Sequence, residues 1–241
     1  MNNLQPKAYD IAFLCGRFQL MHIGHESLVN TALKMCDRII ILVGSAQESG
    51  TIRNPFDIET RIKMIREIYP QDSIIVKPLS DLSKEDDITP EWGKYVLNNV
   101  KKYVYKTPEL MIYGNDESRS RWFNTEDIKD VTEIIVPRSR LPISATELRR
   151  ALVEDNKEMW FKYHNPRLHK YYDILRGELL AAKPYGNMHK EMINANQHIA
   201  PDYRIATAIH DYNSELDEKA YKNMSEKYKD VAEKMKKDGL I

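Results

Sequence analysis

Short apolar runs and longer amphipathic stretches alternate along the first 155 or so residues. The runs at 11–14, 38–43, 73–78, 110–113 and 132–136 are rich in Ile and Val and bounded by turn residues. They are nearly continuous in apolarity, as strands buried on both faces of a parallel sheet are. Between them, 25–36, 57–69, 91–103 and 118–123 read as helices. Asp57 stands where a cap belongs, and Ile58, Ile62, Ile65 and Ile68 follow at helical spacing. This repetition predicts an α/β fold, a doubly wound parallel sheet of about five strands. Ligands of such sheets bind beyond the carboxyl ends of the strands, where the strand order reverses. Past residue 155 the strand-like runs stop. Residues 167–183 read as one helix with Leu168, Tyr172, Leu175 and Leu179 on a face, and 201–237 as charge-rich helix. Lys183-Pro184-Tyr185-Gly186 reads as a turn and a possible boundary. The pattern therefore divides the chain into a 1–155 domain and an all-helical C-terminal extension, 156–241. The last part, 184–241, is expected to pack on the first domain or on a neighbouring subunit and to supply no catalytic group.

Composition narrows the classes. A chain of 241 residues can bury a full core. Lys plus Arg and Asp plus Glu number 36 each, so the formal charge is zero. Nothing in that balance draws the protein to nucleic acid or to an anionic membrane, and neither is expected as a partner. No apolar run approaches the roughly 18 residues of a membrane-spanning helix. Residues 1–10 are polar and lack the apolar centre of a secretion signal. Cys15 and Cys36 fit neither zinc-site spacing nor a disulfide scaffold, so a reduced, cytoplasmic location is expected. The basic tail at 234–237 reads as a solvated helix face.

The chemistry is concentrated in two segments. Cys15-Gly16-Arg17-Phe18-Gln19-Leu20-Met21-His22-Ile23-Gly24-His25 connects the first strand to the first helix. His22 and His25, three apart, both face the helix mouth. Unpaired N–H groups and about half a positive charge at that mouth suit a phosphate. Gly24 lets backbone approach a ligand, and Arg17 adds a cation. There is no Walker loop in the chain. The second segment, Ile143-Ser144-Ala145-Thr146-Glu147-Leu148-Arg149, opens another helix. Alone, a histidine near a helix start is usually a cap, and Ser144 with Glu147 is a capping pattern. Two phosphate-binding pieces at two helix starts together point to a triphosphate cradle.

These motifs resemble the nucleotidyltransferase superfamily that carries H-x-G-H and I-S-x-T-x-x-R, and within it the archaeal-type nicotinamide-nucleotide adenylyltransferases. Gly44-Ser45-Ala46-Gln47-Glu48-Ser49, Arg53-Asn54-Pro55-Phe56, Arg61-Ile62-Lys63-Met64-Ile65 and Gly114-Asn115 extend the similarity over roughly residues 8–155. The resemblance implies a Rossmann-like fold and transfer of AMP from ATP to nicotinamide mononucleotide (NMN), giving NAD and pyrophosphate. It implies Mg²⁺ held mainly by the ATP phosphates and water, no fixed protein metal site, and a homo-oligomer as a possible assembly. His22, His25, Arg17 and Arg149 are the implied catalytic residues. Gly16, Phe18, Gln19, Gly24, Gly114, Asn115, Ile143, Ser144 and Thr146 are the implied ATP contacts. Trp92, Gly44, Ser45 and Asn54 are the implied NMN contacts, with core packing as the rival part for Trp92. Leu20-Met21 departs from the family's common Pro-Phe. Some relatives carry a C-terminal Nudix hydrolase, whose box this chain lacks; 156–182 look like the linker helices of those fusions. The alternatives are a related transferase with another phosphate acceptor and a nucleotide-binding regulator. His22-Ile23-Gly24-His25 is also a signature of class I aminoacyl-tRNA synthetases, but the balanced charge and the Ile143–Arg149 segment argue against that reading.

Overall fold

The computed structural model describes residues 6–82, 89–115, 117–137 and 143–195; the helix expected over 201–237 lies outside them. Five strands form one sheet: β1 (Tyr9–Gly16), β2 (Cys36–Val43), β3 (Ile74–Pro78), β4 (Leu110–Gly114) and β5 (Thr132–Val136). Their order is β3-β2-β1-β4-β5, and every pairing is parallel. The chain first winds outward through α1 (Ile23–Met35) and α2 (Ile58–Ile68), then returns past β1 through α3 (Pro90–Val104). The strand order thus reverses between β1 and β4. There the ladder holds only Ala12↔Leu110 and Phe13↔Met111, while the strands run on to Gly16 and Gly114. The switch-point rule places the ligand crevice beyond the ends of these two strands.

Alternation along the strands builds two apolar layers. Ala12, Leu14, Ile39, Ile41, Leu110 and Ile112 pack on one face with Leu28, Val29 and Ala32 of α1 and Met64 and Ile65 of α2. Phe13, Ile40, Leu42 and Met111 pack on the other with Trp92, Val96, Leu97 and Val100 of α3. The predicted 118–123 helix is a single 3-10 turn, Ser120–Trp122, followed by the short α4 (Thr125–Ile128). That turn lies directly against α3: a Cβ on Gly93 would stand 2.1 Å from the Trp122 carbonyl oxygen.

The extension consists of α5 (Ala145–Val153), α6 (Lys157–Tyr163), a 3-10 turn Pro166–Tyr171, α7 (Tyr172–Ala181) and α8 (Lys183–Ala195). Two expectations are corrected here. Residues 167–183 are not one helix, since the 3-10 turn precedes α7 and Ala182 leaves the helical conformation. Residues 183–186 are not a turn but the start of α8; proline is tolerated in a first helical turn, where its missing N–H has no partner to lose. Leu168, Tyr172, Leu175 and Leu179 are buried as their spacing predicted, and with Trp160, Tyr185 and Met188 they join the layer that contains α1. Position 155 therefore marks a change of pattern, with packing continuous across it. No helix among the described residues is long and apolar enough to cross a membrane.

Candidate active site

The loop from β1 to α1 is held in an unusual backbone. Phe18 (φ 49°) and Leu20 (φ 86°) both occupy the left-handed region. Such residues cost about 1–3 kcal/mol each and persist only where the surroundings over-determine them. Here the Gln19 side chain supplies much of the restraint. Its Nε2 donates to Asn54 Oδ1 (3.2 Å) and the Phe56 carbonyl (3.3 Å), and its Oε1 accepts from the Phe56 N–H (3.1 Å). Asn54 in turn donates to Glu48 Oε2 at 2.6 Å. Gln19 and Asn54, both buried, thus clamp the β1–α1 loop to the β2–α2 loop with their amides. Leu20 and Met21 have no exposed surface, so the departure from the common Pro-Phe is a matter of packing.

His22 caps α1: its Nδ1 accepts from the Gly24 N–H at 3.1 Å. A neutral ring that accepts at Nδ1 carries its proton on Nε2. Burial, helped by the nearby Arg149 cation, lowers the His22 pKa to about 4, so the ring is neutral near pH 7 and offers Nε2–H as a donor. Gly24 makes room for this cap, since a Cβ there would lie 2.8 Å from the imidazole Cε1. The His25 ring stands 4.0 Å from that of His22 and 4.8 Å from that of Phe18. The Arg17 Nη1 nearby in the chain is buried and has no hydrogen-bond partner among the described residues.

The distal motif arrives at the same place. Ser144 caps α5 through a complete capping box: its Oγ accepts from the Glu147 N–H (3.2 Å), and its N–H donates to Glu147 Oε2 (2.9 Å). Ile143, just ahead, packs against the core. From the next turn the buried Arg149 donates through Nη1 to the Gln19 carbonyl (3.4 Å) and through Nη2 to Thr146 Oγ1 (3.1 Å). Two segments 130 residues apart in sequence meet across that first bond.

Arg61 ties the strand ends together, a part the sequence reading did not give it. It has no exposed surface and donates to the carbonyls of Arg17 (2.9 Å), Gly44 (2.7 Å), Ser45 (3.0 Å) and Asp57 (3.1 Å). Burial lowers its pKa to about 10, which leaves it charged at neutral pH. The signal was present: Arg61 interrupts the apolar stripe Ile58, Ile62, Ile65, Ile68, and a charge on a buried stripe requires partners. Gly44 donates its N–H to the Gly16 carbonyl (2.9 Å), and Ser45, at φ 48°, donates its N–H to Asp81 Oδ1 (3.3 Å).

Trp92 lies on the opposite face of the sheet from α1. It lines a cavity with Phe13, Cys15, Tyr113, Arg119 and Trp122, next to the carboxyl ends of β1 and β4. The Arg119 guanidinium sits 4.6 Å from both the Tyr113 and Trp122 ring centroids and donates to the Cys15 carbonyl at 3.4 Å. Sequence reasoning missed Arg119 because Ser118-Arg119-Ser120-Arg121 looks like solvated surface. Asn115 follows β4, its side chain donating to the Glu117 carbonyl (3.3 Å). Burial pushes the Cys15 thiol up to about 12, so it is not a thiolate nucleophile.

A doubly wound sheet with two helix starts and His and Arg side chains gathered at its switch point has the arrangement of a nucleotide-binding α/β protein. The chain belongs to the cytidylyltransferase-like family, whose sequence signature matches residues 13–151. Within that family it is similar to the nicotinamide-nucleotide adenylyltransferase of Archaeoglobus fulgidus, at 31% identity over 160 residues, covering 63% of this chain and 84% of that protein. The enzyme of the same name from Saccharolobus solfataricus is 27% identical over 168 residues, covering 68% and 90%. In fold the chain is similar to a bifunctional NMN adenylyltransferase/ADP ribose pyrophosphatase from Francisella tularensis, with a TM-score of 0.57 and 23% identity. That match covers 78% of this chain but 56% of the Francisella protein, so this chain spans little more than half of its length.

Proposed function

We propose that the protein transfers the adenylyl group of ATP to NMN, forming NAD and pyrophosphate. The observation that carries this reading is the meeting of His22, His25 and Arg149 at the mouth of α1 through the Arg149–Gln19 bond. An oxygen of the NMN phosphate attacks the α-phosphorus of ATP. A new P–O bond forms as the bond to the bridging oxygen of the β-phosphate breaks, and pyrophosphate leaves with the electron pair. The nucleophile is already an anion, so the chain is not asked for a strong base. Its work is alignment and stabilisation of charge on the leaving group. His22 Nε2–H and the His25 ring face the α- and β-phosphates, Arg149 holds the outer phosphates, and the buried Arg17 Nη1 supplies a further donor. The N-termini of α1 and α5 add their dipoles.

Mg²⁺ enters with ATP as its complex. Phosphates and water would hold it, and it would offset charge that develops on the leaving pyrophosphate. The nicotinamide ring would stack beside Trp92, where the narrow cavity lined by Trp92 and Trp122 must widen to admit it. Gln19 and Asn54 contribute by holding the two loops together, and Ser144 by ordering α5.

Trp92→Leu keeps an apolar side chain in the α3 layer. It is expected to raise the KM for NMN by about tenfold, the scale of one aromatic stacking contact, with much less change for ATP. Steady-state kinetics with each substrate varied in turn checks this. Equal rises for both substrates with a lowered melting temperature would make Trp92 a packing residue only.

The proposed function is tested by pyrophosphate release with ATP and a panel of acceptors: NMN, nicotinic acid mononucleotide and phosphopantetheine, with glycerol phosphate plus CTP as a further pair. Release confined to the pyridine mononucleotides is expected. Release with another acceptor, and none with these, would overturn the reading.

A further inference from the structure

The extension is expected from sequence to supply no chemistry, yet one of its side chains reaches the site. Tyr185 lies in α8, beyond the 13–151 segment that carries the family signature, and has no exposed surface. Its hydroxyl stands between two groups, the Ile52 carbonyl at 2.5 Å and Arg149 Nε at 2.8 Å. A hydroxyl has one proton, and Nε–H is only a donor. The direction is therefore forced: Tyr185 donates to Ile52 and accepts from Arg149. Ile52, itself buried, belongs to the β2–α2 loop that Gln19 and Asn54 clamp. One phenol thus joins the loop assigned to the acceptor side with the arginine assigned to the ATP side.

We propose that Tyr185 is a positioning residue for nucleotide binding, acting through Arg149. Among the described residues, bonds from three parts of the chain help set the plane of that guanidinium: Nε to Tyr185, Nη1 to the Gln19 carbonyl and Nη2 to Thr146 Oγ1. An arginine recognises phosphate through the planar fork of its N–H groups, so its orientation decides whether the fork can be used. The Nε bond controls that orientation most directly, because it blocks rotation about the last bond of the side chain. Tyr185 is held in turn by the apolar layer that includes Leu179, Ala182 and Met188. The helical extension therefore contributes to ATP binding without touching ATP. The proposal rests on the assignment of Arg149 to the phosphates.

Tyr185→Phe keeps the ring in the core and removes only the hydroxyl; Tyr185→Leu, which also leaves no acceptor for Arg149 Nε, is made beside it, and the test is read on whichever folds to the parent's circular dichroism. ATP affinity is measured by calorimetry, independently of turnover, in the parent and in an Arg149→Lys background. The expected result is a rise of about tenfold in the Kd for ATP in the parent background, the scale of a hydrogen bond to a charged group. The expected further rise in the Arg149→Lys background is less than about twofold, as for two residues acting through one bond. The KM for NMN should change by less than about twofold, since NMN is not Arg149's ligand. An unchanged ATP affinity, or the same loss in both backgrounds, overturns the proposal. A parent that binds ATP but makes no NAD would refute the assigned acceptor instead, and the ATP affinities would still decide this point.

Discussion

His25→Ala is expected to lower kcat by about a hundredfold or more while changing ATP affinity far less, because one lost donor to developing charge costs on the order of 3 kcal/mol in the transition state. The His25 ring lies tilted against those of His22 and Phe18 at the mouth of α1, where the bond between the α- and β-phosphates would break. Its contribution grows as charge moves onto the leaving pyrophosphate, so the loss falls on turnover. His22→Ala would be a poorer probe, since it also removes the α1 cap and about 1 kcal/mol of stability with it. Single-turnover NAD formation under saturating ATP measures the effect. A His25→Ala rate within about threefold of the parent would remove His25 from the chemistry.

Arg61→Leu is expected to be the most damaging substitution to the fold. Four backbone carbonyls on the β1–α1 loop, the β2–α2 loop and the α2 cap share this one buried guanidinium. Each buried carbonyl left without its donor costs about 1–3 kcal/mol, and several are left at once, for a total on the order of 3–5 kcal/mol. In a protein of this size the melting temperature should fall by roughly 6–20 °C. Arg61→Lys is expected to recover little, because one ammonium cannot serve carbonyls that the planar fork reaches together. Calorimetric or circular-dichroism melts decide; a midpoint within about 2 °C of the parent would mean that the loops are held by other contacts.

The sheet was legible because its strands are buried on both faces and read as uninterrupted Ile and Val runs. Each observed strand includes its predicted run to within a residue. The two motifs that open α1 and α5 were legible as helix starts for a local reason, since each places a cap within a few residues of the helix. Contacts between distant segments were not. Gln19 and Asn54 look like ligand contacts in a motif, and only the folded chain shows their amides meeting each other and Phe56. Lys183-Pro184-Tyr185-Gly186 has turn composition, but proline in a first turn is as acceptable to a helix as to a turn. Tyr185 carried no pattern at all, because its importance lies in a partner 36 residues away. Arg61 is the intermediate case. Its place on an apolar stripe announced burial, while the carbonyls it serves lie on two loops that only the sheet brings side by side.

The central claim is transfer of an adenylyl group from ATP to NMN. It is tested most directly by following the phosphorus of ATP labelled in turn at the α and γ positions, with NMN present. α-Label is expected in NAD and γ-label in pyrophosphate, in equal amounts, with no label left on the protein. Label from the γ position on the acceptor, or α-label released as free AMP with none in NAD, would contradict it.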